Sequence, residues 1–160
     1  MRLLTSTDFV LRVLMRLSAT PDTHASTDEL ARELVISRHH LHKIVQYLTE
    51  AGLVRTIRGA RGGVMLARPA QEIRVGDVVR DHEEDHALVE CFQPDGGACT
   101  LLPRCRLKGM LAGAKEVFYR HLNQFTLTDC VGRPGPQVGR RAAEKRPPRL
   151  PASRRSGAAR

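Results

Sequence analysis

Residues 91–105 read CFQPDGGACTLLPRC, which places three thiols on one stretch rich in turn formers. Cys91 and Cys99 are separated by seven residues, Cys99 and Cys105 by five. Three cysteines on such a loop suit a soft metal centre, because the loop can wrap the site while sulfur supplies charge and covalency to iron or zinc. The spacing is not the doubled Cys-x-x-Cys of a zinc ribbon, so iron–sulfur cluster, zinc and redox-switch disulfide all remain open. A metal would lack one ligand. Cys130, at the end of an apolar run, is expected to be a buried bystander.

The elements around this loop follow from periodicity. Phe9, Val10, Val13, Leu14 and Leu17 recur at helical spacing between the polar start TSTD and the breaker TPD at 20–22. STDELARELVIS opens with Ser26 and Glu29 at capping-box spacing and continues with Leu30, Leu34 and Val35. SRHHLHKIVQYLTEAGLV comes next, with Ser37 as N-cap, Leu41, Ile44, Val45 and Leu48 on one face, and Gly52 at the end. Arg38, His39, His40, His42 and Lys43 fall on the outer side. Two short helices on a tight turn form a helix-turn-helix. The β-prone runs Leu53–Ile57 and Val64–Ala67, around a tip containing Arg58 and Arg61, add a hairpin, which makes the unit a winged helix.

After the wing, IRVGDVVRDHE predicts a short helix. From Cys105 onward Leu107, Met110, Leu111, Ala114, Val117, Phe118, His121, Leu122 and Phe125 alternate at spacings of three and four. That stripe exceeds what a small core needs and predicts a dimerisation helix. The fold expected is mainly α with a small β-hairpin wing: a winged helix-turn-helix over 1–70, a cysteine loop and dimerisation helix over 71–130, and a disordered basic tail over 131–160.

Net charge is +9 over the 160 residues, but it is uneven. Residues 131–160 carry nine Lys and Arg against the single Glu144, so +8 belongs to the tail and +1 to the rest. The tail lacks apolar periodicity and reads as a solvated extension, or as an arm attracted to phosphate. Across 38–68 there are six bases and one acid, whereas 72–95 hold eight acids and two bases. The basic stretch coincides with the helix and loop that a winged helix presents to double-stranded DNA. No stretch approaches the ~18 apolar residues of a membrane span and no signal-peptide pattern opens the chain, so a cytoplasmic protein is expected. The chain has no GxGxxG, Walker loop or Cys-x-x-Cys; a redox enzyme is not expected.

The combination of SRHHLHKIVQYLTEAGLVRTIRGARGGVMLARP, IRVGDVVRDHE, the three cysteines and CRLKGML resembles the winged-helix iron–sulfur repressors that include NsrR, IscR and RirA. The resemblance covers about residues 1–130. It implies a homodimer on a DNA operator, with a cluster held by Cys91, Cys99 and Cys105. In IscR-like members a histidine three residues after the third cysteine completes the site; here that position is Lys108. In NsrR-like members a carboxylate at the start of the first helix, supplied by the other subunit, completes a 4Fe-4S cluster, and Asp8 matches it. Within TSTD, Asp8 has a second reading as a helix cap. The resemblance therefore implies a nitric-oxide sensor with a 4Fe-4S rather than a 2Fe-2S cluster, with a RirA-like iron regulator or a structural-zinc protein as alternatives.

Overall fold

The computed structural model describes residues 2–20, 22–59, 62–102 and 104–131; Arg61 of the expected wing tip and the tail from 132 lie outside them. In chain order the elements are α1 (Thr5–Ser18), α2 (Thr27–Glu33), α3 (Arg38–Glu50), β1 (Val54–Ile57), β2 (Gly63–Leu66), α4 (Val75–Glu83) and α5 (Arg106–Leu122), with short 3-10 turns at Ala70–Glu72, Glu90–Phe92 and Leu127–Cys130. Among the described residues no helix is long and apolar enough to cross a membrane.

The helix-turn-helix is built as its sequence dictates. Ser26 Oγ accepts from the Glu29 N–H at 3.1 Å and Ser37 Oγ from the His40 N–H at 3.3 Å, so each helix has its orphan donor satisfied. The expected reciprocal half of the first box is absent: the Glu29 carboxylate faces Arg16 at 3.5 Å. Gly52 closes α3 at φ +66°, where a Cβ would be strained. Val10, Val13, Leu14 and Leu17 of α1, Leu30 of α2, and Leu41, Ile44, Val45 and Leu48 of α3 form one core, joined by Val54 and Val64 of the hairpin.

Two expectations about helix ends do not hold. α1 begins at Thr5, so TSTD lies inside the helix, and no side chain of that run caps it. The carboxylate of Glu83, on α4, accepts from the Leu4 N–H at 2.9 Å and from the Thr7 hydroxyl. A residue distant in sequence has taken the capping role. The working capping box lies instead at 126–129, where Asp129 accepts from the Thr126 N–H at 2.8 Å. Val35, expected on the apolar face of the second helix, is 87% exposed at φ +54° in the turn. A β-branched residue is uncommon there; the hydrogen bond from the Ile36 N–H to Ala31 O at 3.0 Å fixes the turn.

The hairpin is antiparallel, with Arg55 opposite Met65 and Thr56 opposite Val64. Beyond the wing the chain does not start a separate core. Ile73, Val78 and Leu127 are buried with the residues of α1–α3. The segments on either side of α4 and α5 are paired by Val75 N–H to Phe125 O at 3.0 Å and Leu127 N–H to Ile73 O at 2.8 Å.

α4 and α5 are held by a bidentate Arg80–Glu116 pair at 2.7 and 2.9 Å, by Arg80 over the Tyr119 ring at 4.7 Å, and by Asn123 donating to Asp77 at 2.6 Å. Gly76 allows the approach, because a Cβ there would overlap the Tyr119 carbonyl oxygen and the Asn123 side chain. Gly76→Ala is expected to destabilise the fold by about 2–3 kcal/mol, as overpacking against backbone does, and to lower Tm by roughly 10 °C. A thermal melt within 2–3 °C of wild type would show that the two helices separate at little cost.

Candidate nucleic-acid interface and cysteine loop

α3 presents two faces with different work. Leu41, Ile44, Val45 and Leu48 point into the core, which leaves Ser37, Arg38, His39, His40, His42 and Lys43 exposed in one patch. Arg38 touches Asp28 at 3.2 Å with both side chains well exposed. Such a surface pair is worth ~1 kcal/mol or less and exchanges readily for a phosphate. The face carries no acid from Arg38 to Tyr47, so it offers donors and cations to a polyanion. The wing stands beside it: Thr56 shares a groove with His42 and Gln46, and Arg58 is exposed at the end of β1.

Behind the face, α3 is tied to the rest of the molecule by groups that sequence reasoning passed over. Tyr47 donates to Asp81 at 2.5 Å and meets the His82 ring edge-on, with centroids 4.7 Å apart. Burial first, and the Asp81 carboxylate second, hold the Tyr47 hydroxyl well above its ordinary range; it remains a donor. The Thr7 hydroxyl gives its one proton to Glu83, so at 3.0 Å it must accept from His82 Nδ1. Neutral His82 therefore carries its proton on Nδ1. The start of α1, α4 and the back of α3 are thus connected through polar contacts. The only hint in the sequence is an aromatic with a polar tip on the inner side of α3.

His82 is pushed below its ordinary value chiefly by burial, and also by nearby His86, against the opposing effect of Glu83 and Asp81. Because the folded state disfavours its protonation, His82 supports stability fully above the ordinary histidine value, and that support is lost as pH falls through it. Urea midpoints should decline between about pH 7 and pH 5, and His82→Gln should flatten the decline. An identical pH profile in the variant would remove His82 as its source.

The cysteine loop runs between α4 and α5. Cys91 sits buried in the Glu90–Phe92 turn, Cys99 is half-buried, and Cys105 is the N-cap of α5; all three are free. Glu90 was not singled out by sequence, yet it folds the loop back: its carboxylate accepts from the Ala98 N–H at 3.0 Å, beside Gly97 at φ +62°. A side chain at Gly97 would collide with Glu90. Cys99 is therefore drawn toward the turn that carries Cys91. Among the described residues no side chain caps the start of α5. The donor chemistry, three thiols of one loop, fits a soft metal centre. Among the described residues no three His, Cys, Asp or Glu side chains converge as a metal cage.

Asp8 lies in the first turn of α1, half-exposed, with Arg12 at 2.8 Å. It caps nothing, so the reading of TSTD as a capping run does not hold for this residue. Lys108 lines a groove with Cys91, Arg80 and Lys115. Cys130 packs against the Val75–Val79–Tyr119 cluster with its Sγ 3.7 Å from Thr126 O, and burial, then Asp129, pushes its thiol up.

On α5 the apolar stripe divides. Phe118, Leu122 and Phe125 pack inward on Val75, Val79 and Tyr119, with Phe125 already past the helix end, whereas Leu107, Met110 and Val117 are exposed. Tyr119, outside the expected stripe, is the buried residue of α5.

A helix-turn-helix with a wing, presenting a basic, histidine-rich recognition helix, is a DNA-binding module. The Rrf2 family, described as an iron-dependent transcriptional regulator, matches residues 3–133, so the chain belongs to the Rrf2 family of transcriptional regulators. The HTH-type transcriptional regulator NsrR of Geobacillus kaustophilus is 44% identical over 132 residues, covering 82% of this chain and 90% of that protein. NsrR of Bacillus subtilis is 38% identical over the same length, covering 82% and 90%. In structure, Staphylococcus aureus CymR superposes with a TM-score of 0.63 at 26% identity, covering 81% of this chain and 98% of that one.

Proposed function

We propose that this regulator is a cytoplasmic repressor that senses nitric oxide through an iron–sulfur cluster, a 4Fe-4S cluster in preference to 2Fe-2S, and that it acts as a homodimer on a two-fold operator. Cys91, Cys99 and Cys105 would hold the cluster, with Asp8 of the partner subunit as fourth ligand. The observation that carries this reading is Asp8 itself: a carboxylate at the start of α1 that, among the described residues, caps nothing and is engaged by an exposed pair with Arg12. A pair of that kind is worth about 0.3–0.5 kcal/mol, far less than a metal bond, so Asp8 is free to ligate. Lys108 stands where a histidine ligand would otherwise lie, and two relatives carry the name NsrR.

When bound, the cluster supplies iron centres to which nitric oxide binds directly. As a ligand, the hard Asp8 oxygen on a soft centre would be the one to yield most easily. Thr7, next to it, belongs to the contacts that run through Glu83 and His82 to Tyr47 of α3. Release of Asp8 would thus be felt at the recognition helix, and the two helices of the dimer would lose their spacing, set by half-sites about one DNA turn (~10 bp) apart. Ser37, Arg38, His39, His40, His42 and Lys43 would face the major groove, with Arg58 and Arg61 at the minor groove.

The test is purification without oxygen followed by titration with nitric oxide, reading visible absorbance and operator binding in the same samples. The expected result is a coloured, iron- and sulfide-containing protein whose DNA affinity falls as the absorbance changes. A colourless zinc protein, or unaltered operator binding after complete reaction, would overturn the reading. The family description as iron-dependent favours one alternative, an iron-responsive regulator of RirA type. Target genes that respond to iron starvation but not to nitric oxide would select it.

A further inference from the structure

Among the described residues of 90–105, Cys91 is the buried one, and it belongs to neither apolar cluster. The segment is nevertheless folded in detail. The Phe92 N–H donates to Val89 O at 2.9 Å, the Gln93 N–H to Glu90 O at 3.0 Å and the Gly96 N–H to Gln93 O at 2.9 Å. Gly96 at φ +78° and Gly97 at φ +62° then turn the chain back, with the Asp95 carboxylate accepting from the Gly97 N–H at 2.9 Å. The Glu90 carboxylate closes this reversal on the Ala98 N–H at 3.0 Å. Glu90 and Ala98 are the residues immediately before Cys91 and Cys99. Cys91 is held by its 3-10 turn and Cys105 by the start of α5, whereas Cys99 lies between them, outside any helix or strand. A loop that supplies no core yet has a fixed bend at this point serves to set the spacing of its thiols.

We propose that Glu90 is the positioning residue of the cysteine loop: its hydrogen bond to Ala98 presets Cys99 toward the turn that carries Cys91, so that the thiols take up a metal centre without first ordering the loop, and hold it against loss. The proposal rests on reading the three thiols as ligands of that centre. A backbone N–H given to a carboxylate is a strong hydrogen bond, and a donor set ordered beforehand binds more tightly because less conformational entropy is lost. Glu90 touches no metal in this role. The same carboxylate side chain requires glycine at 97, since a Cβ there would lie 2.5 Å from Glu90 Cγ and 2.9 Å from Glu90 O.

The test uses the full chain, both reduced and metal-free and loaded with its cluster in the absence of oxygen. In the metal-free form, alkylation by iodoacetamide is followed at each cysteine by mass spectrometry. In Glu90→Ala, Cys99 should react about tenfold faster than in wild type, the effect of losing one hydrogen bond to a charged group. Cys130 should keep its rate, and circular dichroism should not change. Glu90→Gln, which keeps an acceptor oxygen, should stay near wild type. Gly97→Ala, which keeps the charge but displaces the carboxylate, should behave as Glu90→Ala does. In the loaded form, release of iron to a chelator should follow the same order, fast in Glu90→Ala and Gly97→Ala and slow in wild type and Glu90→Gln. An unchanged Cys99 rate in Glu90→Ala would overturn the proposal. So would rates that follow charge, fast in both Glu90 variants and slow in Gly97→Ala, and so would iron release equal in every variant. A wild type that takes up no cluster fails the iron–sulfur reading instead, and the hold of Glu90 on Cys99 is then decided by the alkylation rates.

Discussion

Replacing Met110 and Val117 together by Glu is expected to turn the protein into a folded monomer whose affinity for a two-fold operator is lower by at least 100-fold. On α5 these residues are 67% and 60% exposed, with Leu107 at 57% one turn before. Positions 107, 110, 114, 117 and 121 repeat at three and four, the seam of a helix pair. Burying each large apolar side chain against a second copy would contribute about 1.5–3 kcal/mol, counted once on each helix. Two carboxylates per helix would remove that gain and add four like charges to the interface. Separate half-sites lose the avidity of a linked pair, which is worth about 10²–10⁴. Sedimentation would read the mass and circular dichroism the fold. A variant that stays dimeric at micromolar concentration would place the interface elsewhere.

The second large effect concerns the thiols. Single replacement of Cys99 or Cys105 by Ser should reduce bound iron and sulfide to near zero, while Cys130→Ser should keep full occupancy. Cys99 and Cys105 are half-buried at the surface of a loop that Glu90 ties down, and neither supports the apolar core. Their loss should leave the helical content unchanged. Cys91 is buried in its turn, so Cys91→Ser should lose the cluster with some loss of stability. Cys130 sits against Tyr119 and its neighbours with its thiol pushed up by burial, which keeps it protonated and a poor ligand. Full iron in Cys99→Ser, or loss confined to Cys130→Ser, would require a different ligand set.

Much of the fold was readable from local rules. Ser26, Ser37 and Gly52 mark helix ends by chemistry that acts within four residues, and the structure uses them so. The apolar stripe of α3 separates a core face from the Arg38–Lys43 face for the same reason: a period of 3.6 leaves one side dry. Where reading failed, the partner was remote. The cap of α1 is Glu83, which no inspection of TSTD could disclose. Val35 looked apolar and core-facing, yet the turn that sets α3 against α2 places it in solvent. Phe118, Leu122 and Phe125 belong to the same stripe as Leu107 and Met110 in sequence, and the cluster built on α4, with Leu3 and Leu11 from the start of the chain, decides which of them face inward.

By itself the sequence determined the winged helix, the outward chemistry of its recognition helix and the presence of three thiols on one loop, because periodicity, capping and composition act over short range. Only the tertiary structure decided that Asp8 is free of a capping role, that Glu90 draws Cys99 back toward Cys91, and that α3 is fastened through Tyr47 to α4. These are contacts between residues far apart in the chain. Chain folding sets their distances, and neither residue of such a pair carries a local signal of the other.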